Sequence, residues 1–192
     1  MKPLVVGIAG GTASGKTTVA RRLAERCEAL LVSHDRYYRD FAVPASANFD
    51  HPASLETALL VEHLDALREG RPAELPTYDF PTHRRLPHRE RVEPRPVIVV
   101  EGILVLAEAA LRDRLALRVV VDAPDDLRFI RRLERDMAER GRSVESVIRQ
   151  YVATVRPMHE AHVAPTRGHA HLLLDGTRPV DALVDRLLDH LR

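Results

Sequence analysis

Gly10-Gly11-Thr12-Ala13-Ser14-Gly15-Lys16-Thr17 spells G-x-x-x-x-G-K-T, the spacing of a phosphate-binding loop. An apolar run, Leu4 to Ala9, precedes it, and a helical pattern of Val19, Leu23, Cys27 and Leu30 follows. In a strand-turn-helix context the glycines let backbone N–H groups face an anion. The helix beginning near Gly15 adds its positive dipole end. Lys16 would reach the β- and γ-phosphates, and the Thr17 hydroxyl would hold Mg2+. Of 29 Lys and Arg residues only Lys2 and Lys16 are lysine, so this chain otherwise uses arginine. A compact ammonium at the loop is not replaced by arginine's wide planar fork.

Other chemistry-bearing residues follow short apolar runs. After Leu30–Val32 comes Ser33-His34-Asp35-Arg36-Tyr37-Tyr38. A carboxylate there can accept a proton from an attacking hydroxyl or help hold Mg2+, or it can simply cap a turn. His34 reads as a solvated loop histidine. Glu101 ends the run Val97–Val100, where phosphate-loop proteins place a second Mg2+-associated acid. Asp50, two residues before Pro52, reads by itself as a helix cap. Tyr78 and Phe80 alternate on a hairpin extending to Val92, with His83 close behind. Aromatic faces and a histidine suit a planar nitrogenous ring, and equally suit packing on a core.

Arg84 to Arg91 reads as a solvated edge. A helix from about Pro124 carries Arg128, Arg131, Arg132 and Arg135 among Glu134 and Asp136, the pattern of a solvated face laced with acids. Arg140-Gly141-Arg142 breaks it. A hinge flanked by two cations suits a lid closing over phosphates. Residues 144–160 read as one helix containing Gln150 and Tyr151. His159, His162, His169 and His171 have no Cys beside them and straddle a Pro/Gly loop, which does not make a zinc site.

Five apolar runs must position these groups: Leu4–Ala9, Leu30–Val32, Val97–Val100, Leu117–Val121 and Leu172–Leu174. Continuous rather than alternating apolar residues mean strands buried on both faces, hence a mostly parallel α/β sheet, which binds ligands at its carboxyl ends. Residues 39–96 form a polar insertion, and an amphipathic helix from Val180 to Leu191 ends the chain. The 192 residues read as a single domain, with no internal repeats. A net charge of +1 gives no field for nucleic acid or membrane, and no run approaches a membrane span. Without a signal-peptide pattern, the cytoplasm is the expected compartment. The lone Cys27 excludes an intrachain disulfide and reads as core. Asn48 is the only asparagine, so the guanine-reading N-K-x-D motif is absent.

Seven stretches in order, over nearly the whole chain, resemble the uridine kinase (uridine–cytidine kinase) family. They are GGTASGKTT, HDRYYR, NFDHP, YDFPTHRR, VIVVEGI, RRLERDMAERGRS with a downstream Gln, and VRPMHEAHVAPT. The resemblance implies a P-loop NTPase/kinase fold: a five-stranded parallel sheet flanked by helices, a β-hairpin insertion, and a helical lid at about 135–145. It implies transfer of the γ-phosphoryl of ATP or GTP, with Mg2+, to the 5′-hydroxyl of uridine or cytidine. Gly10, Gly11, Thr12, Ala13, Ser14, Gly15, Lys16, Thr17 and Thr18 would hold the donor. Asp35 would be the general base. Asp50, Arg132 and Gln150 would hold the ribose hydroxyls. Tyr78 and His83 would read the pyrimidine edge, walled by Phe49, Phe80 and Tyr38. Arg135, Arg140 and Arg142 would meet the phosphates. Thr17, Glu101 and Asp35 would form the Mg2+ shell. Members are often homotetramers, so a homo-oligomer is expected. Competing readings are a phosphoribulokinase- or pantothenate-kinase-like enzyme, or a nucleotide-binding regulator without turnover.

Overall fold

The computed structural model describes residues 2–40 and 48–191, so part of the expected insertion, residues 41–47, lies outside the described residues. Five strands form one parallel sheet in the order β2-β5-β1-β6-β7. These are β1 (Leu4–Ala9), β2 (Leu30–Ser33), β5 (Val97–Glu101), β6 (Leu117–Asp122) and β7 (Leu172–Asp175). Each begins at the residue where an apolar run begins. Their Val- and Leu-rich stretches suit a pleated surface covered on both sides. Register pairs Ile8 and Ser33 with Glu101, Ala9 with Val120, and Asp122 with Asp175, so the carboxyl ends lie flush along one edge.

Helices cover the two faces. On one, α1 (Lys16–Cys27) and α7 (Val180–Asp189) bury Val19, Leu23, Val184 and Leu187 against Ile8, Val119 and Val121. Cys27 is half-buried at that cluster's margin. On the other face lie α2 (Thr57–Arg68), α3 (Ala109–Arg112) and the antiparallel hairpin β3 (Ala73–Asp79) and β4 (Arg84–Val92). α2 turns Leu60, Leu64 and Leu67 inward at helical spacing, each worth about 1.5–3 kcal/mol of burial. It stops at Glu69-Gly70, where Gly70 takes a positive φ of 79°.

α4 (Asp125–Arg140) starts with Asp125 and Asp126 in its first turn and ends at Gly141, whose φ of 62° is left-handed. A short turn leads to α5 (Val144–Gln150), capped by Ser143. The helix expected over 144–160 runs on as helical backbone to Val163, but its hydrogen-bond ladder is not uniformly α. A π-turn covers Tyr151–Val155, α6 (Arg156–Met158) is one short turn, and a second π-turn covers His159–Val163. Pro157 lacks an N–H, and Pro165 opens the 3₁₀ turn Ala164–His169 that follows, so a regular ladder cannot run through.

Candidate active site

The phosphate loop folds as its glycines allow. Gly15 sits at φ 96° as the residue before α1, with open space around its Cβ position. A Cβ on Gly10 would meet the Val121 carbonyl oxygen at 2.3 Å, and one on Gly11 would meet the Arg128 guanidinium at 2.3 Å. The loop is therefore pressed between β6 and α4. Lys16 is buried at the start of α1, and Thr17 Oγ1 donates to Glu101 Oε2 at 2.9 Å. Ser33 Oγ donates to the other oxygen, Oε1, at 2.8 Å. Glu101 is thus buried with both oxygens satisfied, tying β2 and β5 to the loop. Spacing did not single out Ser33, because only sheet register places it opposite Glu101.

Asp35 lies one turn beyond β2, in the 3₁₀ segment His34–Tyr37. Burial, then the Glu101 carboxylate, pushes its carboxyl up to about 6. Lys16 and Arg140 pull it back, while Asp50 raises it further. Thr17, Glu101 and Asp35 make a hard oxygen set of one hydroxyl and two carboxylates, the donor chemistry that Mg2+ takes together with phosphates and water.

His34 is not the solvated residue its loop position suggested. It is buried, with Nε2 at 3.1 Å from Thr57 Oγ1, and burial drops its ring to about 4, so it stays neutral. Asp50 is not a helix cap either. His51 caps the Pro52–Ser54 turn through Nδ1, which accepts from Ala53 N at 3.0 Å. Asp50 instead faces Arg132 and the Thr154 hydroxyl, both opposing the upward push of burial on its carboxyl.

Beside Asp35 stands a continuous aromatic group. Tyr38 meets Phe49 edge-on at 5.3 Å and Tyr78 at 5.5 Å. Phe49 stacks on His83 at 4.7 Å, and Phe80, half exposed, meets Tyr78 edge-on at 5.2 Å. His83 holds φ 54° at the hairpin turn. The hairpin edge is not wholly solvated. Arg85 reaches inward to the carbonyls of Tyr37 and Tyr38 at 3.1 and 2.9 Å and to Glu56 at 2.6 Å, anchoring β4 to the segment that carries Asp35.

The α4 face is a second correction. Arg128 and Arg132 are buried, not solvated. Arg128 donates to the Ala123 carbonyl and lies 3.2 Å from His159 Nε2, behind Gly11. Arg132 donates to Thr12 Oγ1 and to Gln150 Oε1, both at 2.9 Å. Arg142 also donates to Gln150 Oε1, so Gln150 joins the turn after α4 to Arg132 and, through it, to Thr12 of the loop. Thr12 and Asp50 line one small cavity with Ile103, Val155, His159 and Val163. The glycine-rich loop, Glu101, Asp35 and the aromatic group thus lie together at the carboxyl ends of the strands, the loop at one end and the aromatic side chains at the other. Arg85, Arg128, Thr154 and Ser33 were missed.

A glycine-rich loop at the mouth of a five-stranded parallel sheet, with acids at the ends of its neighbouring strands, defines a P-loop kinase. The phosphoribulokinase / uridine kinase family model matches residues 5–182, and the chain belongs to that family. It is similar to the uridine kinase of Chloroflexus aggregans, 55% identical over 182 residues, 91% of this chain and 87% of that protein. It is similar to that of Lactobacillus johnsonii at 42% identity over all of this chain and 95% of the other. It also resembles that of Halobacterium salinarum at 47%, covering 88% and 78%. In fold it resembles a Bacillus stearothermophilus structure described as a possible uridine kinase, with a TM-score of 0.61 at 19% identity over 91% of this chain and 90% of the other. Phosphoribulokinase from Rhodobacter spheroides gives 0.66 at 15% identity, over 93% and 74%.

Proposed function

We propose that this kinase phosphorylates the 5′-hydroxyl of uridine and cytidine with ATP or GTP, giving UMP and CMP. One observation carries the reading. Asp35 is buried within electrostatic reach of Lys16, Glu101 and Arg140 around the phosphate loop and of Asp50 beyond it, and it in turn acts on Tyr38 of the aromatic group. A hydroxyl placed there is within reach of both a carboxylate and the donor.

The donor's phosphates lie along Gly10 to Thr18, with Lys16 on the β- and γ-phosphates. Thr17, Glu101 and Asp35 would hold Mg2+, which when bound supplies positive charge to the donor's phosphates. The nucleoside lies between the aromatic group and Asp50. Tyr78 and His83 read its base, and Asp50, Arg132 and Gln150 take its ribose hydroxyls. Asp35 orients the 5′-hydroxyl and takes its proton as the oxygen attacks the γ-phosphorus in line. Arg135, Arg140 and Arg142 meet the transferring group's charge. The family resemblance extends the proposal to a homo-oligomer.

The test is a panel of nucleosides, ribulose 5-phosphate and pantothenate with ATP and Mg2+, with products read by mass. Uridine and cytidine should gain one phosphoryl group. 2′-Deoxyuridine should react at least about 100-fold less efficiently, because it leaves buried polar groups unpaired. Phosphorylation of ribulose 5-phosphate or pantothenate in their place overturns the reading.

A further inference from the structure

Asp136 is wholly buried on α4, and four guanidinium groups surround it. Arg135 donates to Oδ1 through Nε and Nη2, at 3.0 and 2.8 Å, and Arg140 Nη1 lies 3.4 Å from the same oxygen. Arg132 Nε and Arg142 Nη1 approach Oδ2 at 3.6 and 3.5 Å. The Asp136 backbone takes part as well: its carbonyl accepts from the N–H groups of Gly141 and Arg142, closing the helix under the lid turn. Arg132 and Arg140, four residues to either side, fall on the same helix face. Arg135 reaches in from the next position, and Arg142 folds back across the glycine.

These four arginines are the ones assigned above to the ribose and the transferring phosphate. We infer that Asp136 is a positioning residue, one buried carboxylate that gathers the four substrate-facing arginines and sets their spacing before the donor arrives. The inference rests on the proposed roles of those arginines. Four cations at one locus repel one another, and Asp136, the one carboxylate in ion-pair range of all four, offsets part of that charge while Asp50 and Asp35 act on Arg132 and Arg140 from the substrate side, leaving a positive locus that draws phosphates yet is ordered at a fixed geometry. A buried carboxylate without partners is strongly disfavoured, so the arrangement is held from both sides.

Asp136→Asn keeps the shape and removes the charge. The local charge becomes more positive by about one unit while the geometry loosens, so anion binding and turnover move in opposite directions. Inorganic tripolyphosphate, titrated by calorimetry against the full chain, should bind at least threefold more tightly to Asp136→Asn than to the natural protein. The kcat for uridine phosphorylation should fall at least tenfold at saturating substrates. Wild-type values of both overturn the inference, and so does a loss of binding and turnover in equal proportion, which is what a smaller folded fraction gives. Should Asp136→Asn fail to fold, Asp136→Glu decides. It retains the charge, displaced by one methylene, and should bind tripolyphosphate as the natural protein does with kcat lowered at least fivefold. An unchanged kcat overturns the inference. A natural protein that makes no UMP would instead sink the proposed reaction, and the tripolyphosphate comparison would still read Asp136.

Discussion

Replacing Asp35 by Asn keeps the side chain's shape but removes its capacity to take a proton. Turnover should fall by about 10²- to 10⁴-fold, with ATP binding near normal by calorimetry. A variant retaining a tenth of the natural rate removes Asp35 from the role of base. Its carboxyl sits near 6 in the free protein because of burial and Glu101, and the ionised form is the acceptor. Hence kcat/KM should rise with pH through about 6, and the Asn variant should lack that limb. The sign for stability is opposite. The folded chain holds this proton more tightly than the unfolded chain, so the contribution present below about 4 is lost as pH climbs through about 6. Asp35→Asn should accordingly melt higher than the natural protein at pH 7.5 and show no such gain at pH 4. Asp35 and Glu101 were legible because strand-end carboxylates stand out in a linear reading. His34 and Asp50 were misread alone, since their partners Thr57, Arg132 and Thr154 come from elements distant in sequence.

The hairpin depends on an arginine for its position. Arg85 holds β4 to the backbone carbonyls of Tyr37 and Tyr38 through two hydrogen bonds and to the Glu56 carboxylate through a third. Arg85→Ala should raise the uridine KM by about tenfold, from roughly 1.4 kcal/mol of lost ordering, and leave the ATP KM unchanged. Steady-state kinetics with each substrate varied in turn distinguishes this from a general loss of fold, which would lower kcat alone. Strands and the hairpin were readable because apolar periodicity is local. The helix beyond Gln150 was not, because its π-turns follow from Pro157 and from how the segment packs back toward the loop. The arginines of α4 misled for a related reason. Spacing put them on a solvated face, while folding pressed that face onto Gly11 and Thr12.

Across the whole molecule, the sheet holds two cores apart and leaves one edge for ligands. ATP with Mg2+ at a hundredfold excess over its Kd should add about 2.7 kcal/mol, raising the Tm by about 5–10 °C in a scan. Lys16→Ala should remove most of that rise while melting near the natural protein without ligand. A full rise in the variant would place the phosphates elsewhere. The sheet was legible as a class because five buried runs admit few arrangements. The strand order was not, since nothing in a run states its neighbour.

One modest feature offers a handle on the turn after α4. Cys27 is the sole thiol, half-buried at the end of α1, and burial pushes it above its ordinary value. So little thiolate forms there at neutral pH that maleimide dyes should react slowly with it. Glu139→Cys, exposed one residue before Arg140, would therefore take a fluorophore selectively in an otherwise native background. Its emission should change when ATP and uridine are added if the proposed lid closes over them, and stay constant if it does not.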